Sequence, residues 1–233
     1  MSLTKLKQAI AKQGNPKKAK LYARFFKTGK GQYGEGDKFL GLTVPEQRNI
    51  AKQYQNLSLA DVKKLLASLY HEHRLTGSLI LVAKYKSGDD KQKKQFFDFY
   101  LKNTHAFNNW DLVDLTSPNI VGDYLLNKDK SILYKLAKSN NLWQRRISII
   151  ATFAFINNNQ LNDTIKLAKI LLNDKHDLIH KAAGWMLREA GKRDIKVLKK
   201  FLDQNVKQMP RTMLRYSIEK FPEKERKYYL KKL

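Results

Sequence analysis

The sequence predicts an all-α fold, an α-solenoid of stacked helix pairs wound into a superhelix with a basic concave face. Three observations carry that expectation. Apolar residues recur at helical spacing along nearly the whole chain. The second helices of successive pairs start at intervals of roughly 33–37 residues, the period of helical repeats. No long linker or low-complexity tract interrupts the pattern. With 42% hydrophobic and 11% aromatic residues, a chain of 233 residues can bury a real core. One domain over 1–233 is expected, with N-terminal helices at 1–57, helix-pair repeats at 58–220 and a C-terminal cap at 221–233.

Taken in order, residues 3–13 and 16–28 read as two helices broken at Gly14-Asn15-Pro16, where Asn15 caps and Pro16 takes the first helical position. Residues 29–36 are a glycine-rich loop. Phe39-Leu-Gly-Leu-Thr-Val-Pro45 leads into a third helix with Thr43 as its cap. Ser58-Leu-Ala-Asp61 is a capping-box start with Asp in place of Glu, and Val62, Leu65 and Leu66 follow on one face. Its partner helix begins near His71 and carries Leu75, Leu79, Leu81 and Val82. The later pairs are 90–103 with 108–117, 130–139 with 142–156, 161–173 with 177–190, and 194–204 with 210–219. Residues 78–84 and 147–156 are rich enough in β-branched side chains to pass for strands. Their length and their place in the repeat favour helix. The charge-dense stretch 222–233 reads as a capping helix.

Lys and Arg number 46 against 21 Asp and Glu, a formal net charge of +25. This is far above the roughly 2–8 units that serve solubility in a small domain, so the excess points to a polyanionic partner. The chain has no cysteine, which excludes disulfides, thiolate metal sites and a cysteine nucleophile, and fits a reducing cytosol. No apolar h-region opens the sequence, and no apolar run is long enough to span a bilayer. A soluble cytoplasmic protein that meets nucleic acid is expected, with no membrane contact. A basic protein on anionic lipid is the competing reading, although no isolated amphipathic anchor stands out.

Several motifs invite chemistry and then lose it. Gly29-Lys-Gly-Gln-Tyr-Gly34 matches the spacing of phosphate-cradling loops, but it follows a helix and no βαβ unit surrounds it. His176 and His180 stand at metal-ligand spacing without a third ligand, and His71 and His73 face different sides of a helix. Structural or capping roles are expected for all four. No nucleophile elbow or Ser/His/Asp order supports acyl transfer.

The pair Trp110 and Asp114 is more pointed. Four residues apart on a helix, an indole and a carboxylate share one face, while Leu112, Val113 and Leu115 supply the apolar side. Asp111 lies about 100° round the helix and is set aside. In 177–192 the core set is Ile179, Ala183, Met186, Leu187 and Ala190, which leaves Lys181, Trp185, Arg188 and Lys192 as an outer stripe. An exposed Trp among cations suits a phosphate-lined groove. In 142–156, Arg146 flanks the core set Trp143, Ile147 and Ile150, and Arg145 is expected to point more fully outward.

Together, Trp110-Asp-Leu-Val-Asp114, Trp143-Gln-Arg-Arg146 and His176-Asp-Leu-Ile-His-Lys-Ala-Ala-Gly-Trp185-Met-Leu-Arg188-Glu resemble the AlkD family of bacterial DNA alkylation repair glycosylases. Asn15-Pro-Lys-Lys-Ala, Phe39-Leu-Gly-Leu-Thr-Val-Pro45-Glu-Gln-Arg48 and His71-Glu-His-Arg-Leu-Thr fit as well, so the match runs from about residue 15 to 195. The resemblance implies a HEAT-like solenoid on duplex DNA. It implies excision of cationic alkylated purines, such as 3-methyladenine and 7-methylguanine, without drawing the damaged base into a pocket. Asp114 would be the catalytic carboxylate, with Trp110 and Trp185 framing the lesion's deoxyribose. Arg146 and Arg188 would contact DNA, joined by Lys181, Arg145, Thr43 and Phe25, the last standing where an aromatic with a hydroxyl is usual.

The implied chemistry is self-consistent. An N-alkylated purine already carries positive charge, so the oxocarbenium-like sugar is the difficulty, and one ionised carboxylate meets it. No metal or cofactor is expected, and neither is a Schiff-base lysine. The expected partner is double-stranded DNA containing alkylated bases, met by a monomer in the bacterial cytoplasm at the nucleoid. The alternative is a non-enzymatic helical-repeat protein that recognises bent or branched DNA.

Overall fold

The computed structural model describes residues 2–232, and they are all-helical apart from one isolated β-bridge. The helices fall into two compact units, Met1–Thr116 and Ser117–Leu233.

The first unit holds α1 (Leu3–Lys12), α2 (Pro16–Phe25), α3 (Val44–Gln53), α4 (Leu59–Leu66), α5 (His71–Ser87), α6 (Asp90–Lys102) and α7 (Trp110–Thr116). The expected caps are in place: Asn15 Oδ1 accepts the backbone N–H of Lys18, and the Thr43 amide and hydroxyl both donate to Glu46. Helix α2 stops at Phe25, three residues short of the expected end, and Lys27 turns the chain at φ +52°. Helix α5 is the axis of the unit and packs against α3, α4, α6 and α7. It is buried nearly all round, including Glu72, His73 and Arg74, so its polar groups must find partners inside the protein.

The second unit opens with a π-helical segment, Ser117–Gly122, which follows α7 in the sequence with no intervening loop. The helix expected to end at residue 117 therefore runs on. Pro118 has no N–H to give to an i→i−4 bond, and a wide i→i+5 turn accommodates that loss. There follow α8 (Asp123–Leu125), α9 (Ser131–Ala137), α10 (Leu142–Ile150), α11 (Thr152–Asn157), α12 (Asn162–Ile170), α13 (Asp177–Arg193), α14 (Ile195–Asn205), α15 (Arg211–Ser217) and α16 (Glu223–Lys231). The β-branched stretches 78–84 and 147–156 form helix rather than strand, although the helix expected over 142–156 is interrupted at Ala151. Helix α13 centres this unit, with α10, α12, α14 and α15 around it. A Cβ on Gly184 would meet the Met213 carbonyl at 2.5 Å, so glycine is what lets α15 come this close. No helix among the described residues is long and apolar enough to cross a membrane.

Candidate functional site

In the first unit the chain around residues 37–42 is pinned to the start of α5. The Lys38 amide donates to the Leu69 carbonyl at 2.9 Å, and the His71 amide donates to the Lys38 carbonyl at 2.8 Å. Gly41 takes φ +90° and passes so near α2 that a Cβ would sit 2.1 Å from the Asn15 carbonyl. The buried carboxylate of Glu72 gathers this turn, accepting the amides of Leu40 at 2.9 Å, Gly41 at 2.7 Å and Leu42 at 3.4 Å.

That pinning brings Asp37 beside α5 and creates a buried ionic cluster. Arg74 Nη2 lies 2.6 Å from Asp37 Oδ2, and His71 Nδ1 lies 3.6 Å from the same oxygen. On its other side His71 Nε2 is 2.7 Å from Asp111 Oδ2, in the first turn of α7. Burial works to lower the His71 pKa, but Asp111, by charge and hydrogen bond, and Asp37 outweigh it, lifting it from 6.5 to about 9. This favours the imidazolium form at neutral pH, with Nε2 donating to Asp111 and Nδ1 held 3.6 Å from Asp37. The structural role expected for His71 is what the geometry shows, but Asp111 corrects the earlier reading. It does point away from Trp110, and what it points at is His71.

Around the cluster sits a group of rings. Phe26 and Phe39 each lie 4.9 Å from the His71 ring, and Phe26 stacks on Trp110 at 5.4 Å with a 16° interplanar angle. Phe25 meets Trp110 edge-on at 6.1 Å. Trp110 is therefore half-buried with one face already stacked, and Asp114, one turn on, is half-buried as well. Leu112 and Val113 are fully buried on the opposite side, as the spacing requires.

Helix α2, which carries the candidate DNA contact Phe25, has no buried residue. Leu21 and Phe25 are 63% and 61% exposed, and Val44 beside them is 43% exposed. The charged residues of α2 are Lys17, Lys18, Lys20 and Arg24, all cationic. The signal in the sequence is the set of apolar positions 21, 22 and 25, with Phe26 just past the end, on a helix whose charges are all basic. These side chains rim a cavity of about 570 Å³ lined chiefly by Tyr22, Phe25, Phe26, Phe39 and Trp110, with Thr43 also on its wall.

In the second unit, α13 buries Ile179, Ala183, Met186, Leu187 and Ala190, leaving Lys181, Trp185 and Arg188 half-buried on the other side. The cations of that stripe are not left to solvent. Glu189 accepts from Trp185 Nε1 at 3.2 Å, from Arg188 Nε at 3.1 Å and from Lys192 Nζ at 2.7 Å. Burial raises the Glu189 pKa, but Lys192 and Arg188 outweigh it and hold the carboxyl below its ordinary value. Arg188 also bridges to Glu219, and Lys181 pairs with Asp177 at 2.7 Å. Trp185 lies 5.8 Å from Phe153.

The expectation that Arg145 points outward needs correcting. Its Nε lies 2.5 Å from the buried Asp174, and its Nη1 donates to the carbonyls of Ser139 and Asn140 at 2.9 and 3.0 Å. Arg146 is only 5% exposed and donates to the Leu178 carbonyl at 2.6 Å. Helical spacing locates a guanidinium on a face; it does not show that a carbonyl or carboxylate from the next repeat waits there. His176 Nδ1 accepts the Leu178 amide, and His180 Nε2 lies 2.5 Å from the Asp174 carbonyl, so both hold the start of α13. In the glycine-rich loop the Gly31 amide is taken by the Glu35 carboxylate at 2.8 Å, which puts a negative charge where a phosphate would have to sit.

An all-α chain of helix pairs, strongly basic and with an aromatic-flanked carboxylate, falls in the class of helical-repeat proteins suited to a polyanion. Residues 6–221 match the family model of the DNA alkylation repair enzymes, and the chain belongs to that family. Among solved structures it is similar to a predicted DNA alkylation repair enzyme from Enterococcus faecalis, at 15% identity and a TM-score of 0.70, over 91% of this chain and 98% of that one. At this identity the likeness speaks for the fold. No curated protein matches the chain.

Proposed function

We propose that the protein is a monofunctional DNA glycosylase that hydrolyses the N-glycosidic bond of cationic alkylated purines, 3-methyladenine and 7-methylguanine, in duplex DNA. The observation that carries this reading is the pair on α7: Asp114 beside Trp110, whose ring is braced against Phe26. A carboxylate in a partly desolvated, aromatic setting stabilises a sugar cation far better than one in bulk water. Asp114 faces the oxocarbenium-like sugar and orients the attacking water, and the positively charged purine departs as a neutral base. Trp110 and Trp185 are the aromatic contacts of the lesion, and no extrusion of the damaged base into a pocket is required. The braced ring of Trp110 loses little freedom on binding, which favours a fixed approach of the sugar.

Phe25, Thr43 and Lys181 are the proposed DNA contacts closest to solvent. Arg188, Arg145 and Arg146 join them only by sharing or exchanging their internal acceptors, so their first contribution is to the fold. The reading is of a monomer acting as one DNA alkylation repair domain over 1–233, in the bacterial cytoplasm at the nucleoid. The test is chromatography of the bases set free from methylated duplex DNA. Wild type should release 7-methylguanine, and Asp114→Asn should lower the rate by about 10²–10³, the usual cost of one electrostatic group in a transition state. A wild type that binds DNA and releases nothing would favour a non-enzymatic DNA-binding protein.

A further inference from the structure

Helix α7 carries both Trp110 and Asp114, and its first turn is held by polar groups to which the chemistry of Asp114 gives no role. Their hub is Asp37. Its Oδ2 accepts from Arg74 Nη2 at 2.6 Å and from the Asn109 side-chain amide at 3.4 Å, with His71 Nδ1 3.6 Å away. Two of these three lead on to α7. Asn109 Oδ1 accepts the Trp110 amide at 2.8 Å, at the start of the helix. His71 Nε2 lies 2.7 Å from Asp111 Oδ2, while Asp111 Oδ1 accepts the Leu112 amide at 2.9 Å. Trp110 therefore stands between two residues tied to Asp37, Asn109 directly and Asp111 through His71.

The bonds lie where water competes little. Asn109, His71 and Arg74 are buried, and the Asp37 side chain is only 5% exposed. Phe26 adds a second tie, its ring 4.9 Å from His71 and stacked on Trp110. Leu112 and Val113 decide which side of α7 faces inward, but apolar packing has no direction of its own. Hydrogen bonds do, and they weaken steeply when bent, so these bonds set how far the first turn is rotated. Asp114 follows one turn later in a helix of seven residues, so a rotation fixed at Asp111 reaches its carboxylate. Reacting groups tolerate little error: a shift of about 1 Å can cost about 10² in rate.

We propose that Asp37 and His71 are positioning residues for α7, fixing through Asn109 and Asp111 the rotation of its first turn, and with it the Trp110 ring and the Asp114 carboxylate. Neither has to touch DNA. The effect on rate rests on the glycosylase reading; the hold on Trp110 does not.

Two variants cut the link from opposite sides, His71→Gln and Asp111→Asn, the second at a half-buried position that tolerates the change if the first fails to fold. The emission of Trp110 itself is the difference between each protein and the same protein carrying Trp110→Phe. In both variants it should shift to the red and become more open to acrylamide quenching. An emission and quenching unchanged in both overturns the proposal, whether or not the wild type releases any base. The second measurement is single-turnover release of 7-methylguanine from methylated duplex. Each variant should be slower by about 10–10², with affinity for undamaged duplex unchanged. Placed on Asp114→Asn, the same changes should cost much less, because the carboxylate they position is already gone. Release at the wild-type rate overturns the proposal, and so does an equal loss with and without the Asp114 carboxylate. A wild type that releases no base, beside a Trp110 emission that still shifts, leaves the clamp standing and rejects the glycosylase reading alone.

Discussion

Burial alone would strip the proton from His71, yet Asp111 at 2.7 Å and Asp37 behind it hold that proton up to about pH 9. The folded state thus binds the proton more tightly than the unfolded chain, whose histidine titrates near 6.5. Stability from this group is full below pH 6.5 and is lost as pH rises through about 9, an effect on the order of 3 kcal/mol. Urea unfolding at pH 6 and pH 9.5 should show that fall in wild type and a much smaller one in His71→Gln; an equal fall in both would reject the assignment. His73 works in the opposite window. Burial first, then Lys7 and Arg74, lower its pKa to about 4, so its contribution is present above pH 6.5 and lost as pH falls toward 4. The cluster also shows what sequence spacing misses. Helical geometry placed Asp111 correctly on α7, but its partner lies 40 residues earlier, and only the pinned segment around Lys38 brings the two together.

Among the elements, the helices were the most legible part of the sequence. Asn15-Pro16, Thr43 and Ser58 mark starts by side-chain capping, a local interaction that spacing reveals. Their ends were less so, because a stop depends on the backbone: Lys27 at positive φ cuts α2 short, and the π-helical turn at Pro118 lets α7 run on. The burial of Arg145 and Arg146 was illegible for the same reason as Asp111, since Asp174 and the Leu178 carbonyl, which hold them, come from the next repeat. Arg146→Ala is accordingly expected to destabilise the fold by about 1–3 kcal/mol, because a buried guanidinium and its bond to the Leu178 carbonyl are both lost. Thermal unfolding reads this directly, and an unchanged Tm would mean the arginine is free to serve DNA alone. Gly184→Val should cost a similar amount or more, because its side chain would drive into Met213 and Tyr216 of α15.

At the scale of the whole molecule, the formal charge of +25 is the feature that composition shows most plainly. Much of the arginine is engaged in ion pairs and carbonyl bonds, which shifts the burden of meeting DNA toward lysine. Lysine contacts are point charges on a backbone, so DNA affinity should fall steeply with salt, by about 10³–10⁵ between 50 and 200 mM if six to ten phosphates are neutralised. A shallow dependence in filter binding would argue that the charge serves something else. The helical period and the polyanion were both readable without a structure, and membership of the DNA alkylation repair enzymes agrees with both. The aromatic cavity on α2 was not readable, because its rings come from four separate stretches of chain.

Asp114 carries the proposed chemistry. Released-base chromatography on methylated duplex DNA, run with wild type and Asp114→Asn at equal DNA occupancy, tests it most directly. Wild type is expected to release 7-methylguanine, and the variant to lose about 10²–10³ in rate with DNA binding retained. Release by Asp114→Asn at the wild-type rate would contradict it.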